Sequence, residues 1–308
     1  MSITHIRLSI PGPMPGPDPL AETRTARAVL LRLVEHGGTA LEQFIRQAGP
    51  RAAAEQLYTG EIPEALAEHV TRGQVWAAAA GAAADVETGS RCGARLLIPE
   101  DDQWPTTTAL SGTVGLWVRG QADLAVLSAE MVCVTGARAA SSYGTHVAAD
   151  LAGGLAARGY AVVAGASFGI EAAAHRGALA GRGTTVAVLS CGIDRAYPVA
   201  HENLLERIAQ TGLLVSAEPP GATMSRRRVI ARNRLQAALA DATVVVEAGA
   251  RSGALHTAEA ARGFGAAVMA VPGPATSVLS AGPHQLLRQG ATLVTNCADV
   301  VDALGLEP

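Results

Sequence analysis

The chain has 308 residues, 49% of them apolar and 17% charged, a balance that fits one large α/β domain plus a smaller one and excludes a disordered chain. Its net charge of −3 excludes a protein that coats nucleic acid over its whole surface. Every basic side chain is arginine, so a small local cluster still offers planar, multi-donor contacts to phosphate.

Residues 1–19 are rich in Pro and Gly and are expected to form a flexible arm. From residue 20 to 92 the pattern is helical and short-jointed. Ala26, Leu30, Leu33 and Val34 share a face, Gly37-Gly38 breaks the run, and Leu41, Phe44 and Ile45 follow before Gly49-Pro50. Such helices suit a small N-terminal domain of the SAM or helix–hairpin–helix kind, or a cap with no binding role of its own.

Past Gly93 the texture changes, and residues 93–308 are expected to form one extended Rossmann-like domain. Leu96-Leu97-Ile98 and Leu116-Trp117-Val118 have strand character. A strand–helix alternation then begins, with strands expected at 131–135, 161–164, 185–189, 213–216, 243–247, 267–271 and 292–294. Helices are expected at 146–157, 171–179, 202–209, 231–239, 255–262 and 283–287. Short apolar strands alternating with helices imply right-handed crossovers and a doubly wound, mainly parallel sheet. Ligands of such sheets collect at the carboxyl ends of the strands, near the switch in strand order. Cys133 and Cys191 lie in or beside apolar runs, and none of the four cysteines has Cys-x-x-Cys spacing, so reduced, mostly buried thiols are expected rather than a zinc site. With neither a leader-like segment nor about 18 consecutive apolar residues, a cytoplasmic protein without membrane association is expected.

The sequence after each strand therefore carries the argument. The strand at 131–135 runs into Gly136-Ala137-Arg138, and the strand at 161–164 into Gly165-Ala166-Ser167-Phe168-Gly169. Glycine there permits tight turns, and the following helix starts favour an anion. Neither Gly-x-Gly-x-x-Gly nor a Gly-Lys-Ser/Thr loop occurs, so a dinucleotide or triphosphate is not the obvious ligand. Glu171 and His175, four apart, read either as an acid–base pair or as a first-turn acid with a packed histidine. No nucleophile or metal-ligand set accompanies them, which favours the second reading.

The strongest local signal is Arg226, Arg227, Arg228, Arg232 and Arg234, five arginines in nine positions, with Asn233 among them and no acid inside the run. A focused cationic patch beside glycine loops is what a single strand of nucleic acid asks for. Ser252-Gly253 after the strand at 243–247, and Pro272-Gly273 after the next, fit the same rim of backbone donors.

Taken in order, Thr135-Gly136-Ala137-Arg138, Gly169-Ile170-Glu171, Ala174-His175-Arg176-Gly177, Gly192-Ile193-Asp194 with Tyr197-Pro198, Arg232-Asn233-Arg234, Val246-Glu247-Ala248, Ser252-Gly253-Ala254-Leu255 and Ala270-Val271-Pro272-Gly273 resemble the DprA/Smf family over roughly residues 94–303. The resemblance implies a non-catalytic protein without a cofactor or metal. It implies binding of single-stranded DNA in a basic phosphate-binding cleft and promotion of RecA loading during transformation and homologous recombination. It also implies dealings with single-strand-binding protein and a homodimer, with a surface near His284–Leu287. The DNA-contacting set carried over comprises Gly136, Arg138, Ser167, Gly169, Arg226, Arg227, Arg228, Arg232, Asn233, Arg234, Ser252 and Gly253.

The sequence departs from the family pattern in several places. Glu171 stands where the family has Asp, and Glu218 is displaced by one position in Ser216-Ala217-Glu218-Pro219-Pro220-Gly221. Val229 stands where an aromatic residue precedes the Arg-Asn pair. Stacking is worth about 1–3 kcal/mol per base, so phosphate charge is expected to carry more of the binding. A C-terminal winged helix is not expected. The rival reading is an enzyme of the LOG nucleotide-phosphoribohydrolase kind with Glu259 as its acid, or a nucleotide sensor on the same scaffold. The Pro-Gly-Gly-x-Gly-Thr loop of those enzymes is replaced here by Ser252-Gly253-Ala254-Leu255-His256-Thr257.

Overall fold

The computed structural model describes residues 20–305 apart from residue 129, so the arm expected at 1–19 lies outside the described residues. Five helices come first: α1 (Ala21–Leu31), α2 (Val34–Ala48), α3 (Pro50–Thr59), α4 (Glu64–Ala67) and α5 (Arg72–Arg91). Gly38 inside α2 has φ 50° and ψ −138°, which kinks the helix. At the start of α5, Thr71 and Gln74 form a reciprocal capping box that satisfies helix-end amides.

The remainder is β1 (Ala94–Leu97), β2 (Leu116–Gly120), α6 (Leu124–Leu127), β3 (Met131–Thr135), α7 (Ser142–Ala156), β4 (Ala161–Gly165), α8 (Ile170–Ala180), β5 (Thr185–Leu189), α9 (Glu202–Thr211), β6 (Leu213–Ser216), α10 (Arg226–Ala238), β7 (Ala242–Val245), α11 (Gly253–Gly263), β8 (Ala267–Ala270), α12 (Ala281–Arg288), β9 (Thr292–Leu293) and α13 (Cys297–Leu304). The nine strands form one sheet in the order β1-β2-β6-β5-β4-β3-β7-β8-β9. β1 and β2 pair antiparallel, as do β2 and β6, and every other neighbour is parallel. The doubly wound, mainly parallel sheet is therefore present, with an antiparallel pair added at one edge.

β3, β4 and β5 are buried along their whole length, because helices cover both faces of the sheet; this explains their continuous Val and Ala runs. Successive strands step outward from β3 in one direction through β6 and in the other through β9. The switch in strand order thus falls between β3 and β7, and their carboxyl ends open a crevice there.

The N-terminal helices share a hydrophobic core with this sheet. Leu30, Leu41, Leu57 and Val75 belong to the same buried cluster as Leu96, Trp117, Leu189 and Ile208. Two ion pairs fix the junction, Arg24–Asp101 at 2.7 Å and Arg27–Glu100 at 2.7 Å, and a third, Arg32–Asp85 at 2.6 Å, lies within the helices. The first two tie α1 to the turn after β1, and the third ties its end to α5.

Candidate nucleic-acid interface

A cleft of about 470 Å³ lies at the switch point, lined by Gly136, Arg138, Ser167, Glu171, Val229, Arg232, Asn233, Arg251, Ser252 and Gly253 among others. The structure thus brings together the loops after β3, β4 and β7 and one face of α10. The first two loops touch. Gly169 has φ 74°, and a Cβ there would overlap the carbonyl oxygens of Ala137 and Arg138. Ile170 N–H donates to the Ala137 carbonyl at 3.2 Å, and Ala137 N–H donates to the Glu247 carbonyl at 2.6 Å. Glycine at 169 therefore holds the backbone of Arg138 in place while its side chain stays exposed.

Two of the helix starts at this cleft are occupied by the protein's own carboxylates. Glu247 accepts from the Ser141 amide at 2.9 Å and from its hydroxyl at 2.6 Å, at the beginning of α7. Glu171 accepts from the Ser167 amide at 3.0 Å, at the beginning of α8. The Ser141 and Ser167 amides are thus committed to the protein's own carboxylates.

Arg232 forms the floor. It is buried, and its Nη1 donates to Glu171 at 2.8 and 3.0 Å and to Gln236 Oε1 at 2.8 Å. Its buried Nε–H has no hydrogen-bond partner among the described residues. Gly165 makes room for this pair, because a Cβ at that position would overlap the Arg232 guanidinium. Burial pushes the Glu171 carboxyl up, but Arg232 and the bonds from Ser167 outweigh it and hold the carboxyl at about 2. Asn233, also buried, donates to the Gly253 carbonyl at 3.1 Å and so joins α10 to the start of α11.

Helix α10 begins at Arg226, not near residue 231. Ser225 is its N-cap and accepts from the Arg228 amide at 3.2 Å, so the whole arginine run is helical and its members point in different directions. Val229, Arg232 and Asn233 face the cleft; Arg226, one turn before Val229, is exposed but does not line it. Arg227, Arg228 and Arg234 line a separate groove toward α2. Arg228 is 2.9 Å from Glu35 and 2.8 Å from Glu218, and Arg234 stacks on Phe264 at 5.0 Å. The acids missing from the run arrive from elsewhere in the chain.

His175 is fully buried, with ring nitrogens 2.7 Å from Thr185 Oγ1 and 2.9 Å from the Gly165 carbonyl. Burial pulls its pKa down to about 4. It is a packed core residue between β4 and β5. Burial pushes the Cys133 thiol up to about 12 and the Cys191 thiol up to about 11, as inert buried cysteines require. Glu259 is exposed on the outer side of α11, 3.8 Å from His256, and does not line the cleft.

Residues at the cleft that were missing from the sequence-based set include one arginine and two aromatic side chains. Arg251 is exposed on the rim. Phe168 and Tyr197, 50% and 43% exposed, line a recess of about 70 Å³ with Arg138, Ser167, Val229 and Arg232. Exposed aromatic rings beside arginines, in a chain with so few aromatics, were the available signal.

The family defined by DNA recombination-mediator protein A matches residues 95–305. The chain belongs to that family. A DprA protein of Mycobacterium tuberculosis is 46% identical over 297 residues, covering 92% of this chain and 75% of that protein. The X-ray structure of DNA processing protein A from Streptococcus pneumoniae matches with TM-score 0.71 at 26% identity, over 92% of this chain and 96% of that one. DNA processing protein A from Helicobacter pylori, whose structure addresses its single-stranded DNA binding mode, matches with TM-score 0.62 at 25% identity, over 70% of this chain and 97% of that one. The resemblance carried by the ordered motifs is thus a family membership, and this DprA/Smf chain is a DNA-processing protein of the recombination-mediator kind. Among its described residues no helix is long and apolar enough to cross a membrane.

Proposed function

We propose that this chain binds single-stranded DNA by its phosphates across the cleft at the β3/β7 switch point and delivers the strand to a RecA-type recombinase. One observation carries the reading. Arg138 and Arg251 are exposed cations on the rim of a glycine-walled cleft, while Glu247 and Glu171 already fill the neighbouring helix starts. Exposed guanidinium groups beside these carboxylates suit a succession of phosphates on a flexible backbone better than one mononucleotide phosphate. Gly136, Ser167, Gly169, Ser252 and Gly253 shape the walls, Arg232 and Asn233 position the floor, and Arg138, Arg226 and Arg251 make the charge contacts. The binding act is non-catalytic and needs no cofactor. A homodimer, a dimer or RecA surface near His284–Leu287, and dealings with single-strand-binding protein belong to the same proposal.

The test is a salt series of oligo-dT binding for the wild type and for Arg138→Ala, Arg226→Ala and Arg251→Ala. Each lost phosphate contact should lower the slope of log affinity against log salt by about 0.7. Wild-type binding that is absent at low salt, or that is indifferent to all three changes, would overturn the reading.

A further inference from the structure

A groove of about 410 Å³ separates the N-terminal helices from the side of α10 that faces away from the cleft. Its charged lining is Arg227, Arg228 and Arg234 on α10, Glu35 and Glu42 on α2, and Glu218 on the β6–α10 connection. Three guanidinium groups and three carboxylates thus line one groove. We propose that α2 carries an intramolecular competitor of nucleic acid, its Glu35 and Glu42 side chains facing a second row of arginines that binds backbone phosphates when these carboxylates are displaced. The proposal rests on the reading of the cleft given above and extends the DNA track around α10.

The geometry supports a displaceable cover. Arg228 is the central latch: its Nη2 donates to Glu35 Oε2 at 2.9 Å, its Nη1 donates to the Thr223 carbonyl, and its Nε lies 2.8 Å from Glu218 Oε2. Glu218 is fixed beside α10 by the chain itself, so it stays when the Glu35 carboxylate is displaced. One resident carboxylate cannot neutralise three arginines. Glu35 is 193 residues away in sequence and about a third exposed. Its ion pair with Arg228 is therefore partly solvated, the kind of contact that a run of phosphates can displace. Glu42 faces the same groove, where burial pushes its carboxyl up and Arg234 and Arg46 draw it back. The kink at Gly38 falls between the turns that carry Glu35 and Glu42.

The proposal is tested by oligo-dT binding of the full chain across a salt series. Glu35→Gln should raise affinity about threefold or more at low salt and steepen the slope by about 0.7, as one added phosphate contact requires. The gain should vanish in Glu35→Gln/Arg228→Ala. Glu42→Gln should give a smaller gain that depends on Arg234. Unchanged or weaker binding by both glutamine variants, or a gain that survives removal of Arg228, overturns the competitor role. That failure is separable from failure of the cleft. If wild-type binding falls with Arg138→Ala while Glu35→Gln changes nothing, only the competitor is lost. If Arg138→Ala, Arg226→Ala and Arg251→Ala bind as wild type while Glu35→Gln still gains through Arg228, the groove stands and the cleft reading falls.

Discussion

Replacing Arg232 by methionine removes the cation from a pair in which both side chains are less than a tenth exposed. Glu171 keeps the Ser167 amide at 3.0 Å, Thr135 Oγ1 at 3.2 Å and Gln236 Nε2 at 3.3 Å, but its charge is left uncompensated. Breaking a buried pair from one side costs about 3–5 kcal/mol, and that is the expected loss at pH 7 in urea unfolding followed by circular dichroism. The direction of pH dependence follows. In the wild type Arg232 holds the Glu171 carboxyl at about 2, so it is charged throughout the neutral range. In the variant burial dominates and the carboxyl rises above its unfolded value. It then takes a proton more readily in the native state, so the deficit should shrink as pH falls from 8 to 5. Converting both residues to methionine should recover most of the loss, because two apolar groups of similar volume replace a desolvated pair. A single-variant loss below about 1 kcal/mol, or a deficit independent of pH, would refute the reasoning.

Three further outcomes follow from particular residues. Phe168→Ala and Tyr197→Ala should each weaken oligo-dT binding by about 1–3 kcal/mol per stacked base while leaving the salt slope unchanged; a changed slope with unchanged affinity would assign those rings no stacking role. Gly165→Ala should destabilise the fold and lower the thermal midpoint, because its methyl group meets the Arg232 guanidinium; a midpoint equal to wild type would mean that the pair can move aside. His175 is held at about 4 by burial, against an unfolded value of 6.5. The stability it contributes is complete above pH 6.5 and is lost as pH falls through about 4, on the order of 3 kcal/mol. His175→Gln should flatten the stability profile over that window, and urea midpoints between pH 7 and 4 check it.

Much of the scaffold was legible because it depends on local pattern. All seven strands of the alternation form near their expected positions, with β7 ending at Val245 and leaving Glu247 free to reach Ser141. The glycine loops fall at the crevice because parallel strands with crossover helices put every strand-to-helix turn on one edge. The antiparallel placement of β1 and β2 beside β6 was not legible, because strand pairing across about a hundred residues has no local signature. The start of α10 was available in Ser225, a good N-cap residue, but the arginines after it resemble a charged loop.

Local pattern along the chain is enough to place a doubly wound sheet, glycine-walled turns at its switch point, and an arginine run with Asn233 beside them. Which arginines meet a carboxylate depends on long-range packing. On one helix, Arg232 turns inward to Glu171, 61 residues away, Arg228 turns outward to Glu35, and Arg226 remains exposed. Charge is screened or paired by whatever the fold brings within a few ångströms, and sequence distance carries no measure of that. A patch of five cations in the sequence is, in the folded chain, two faces with different neighbours.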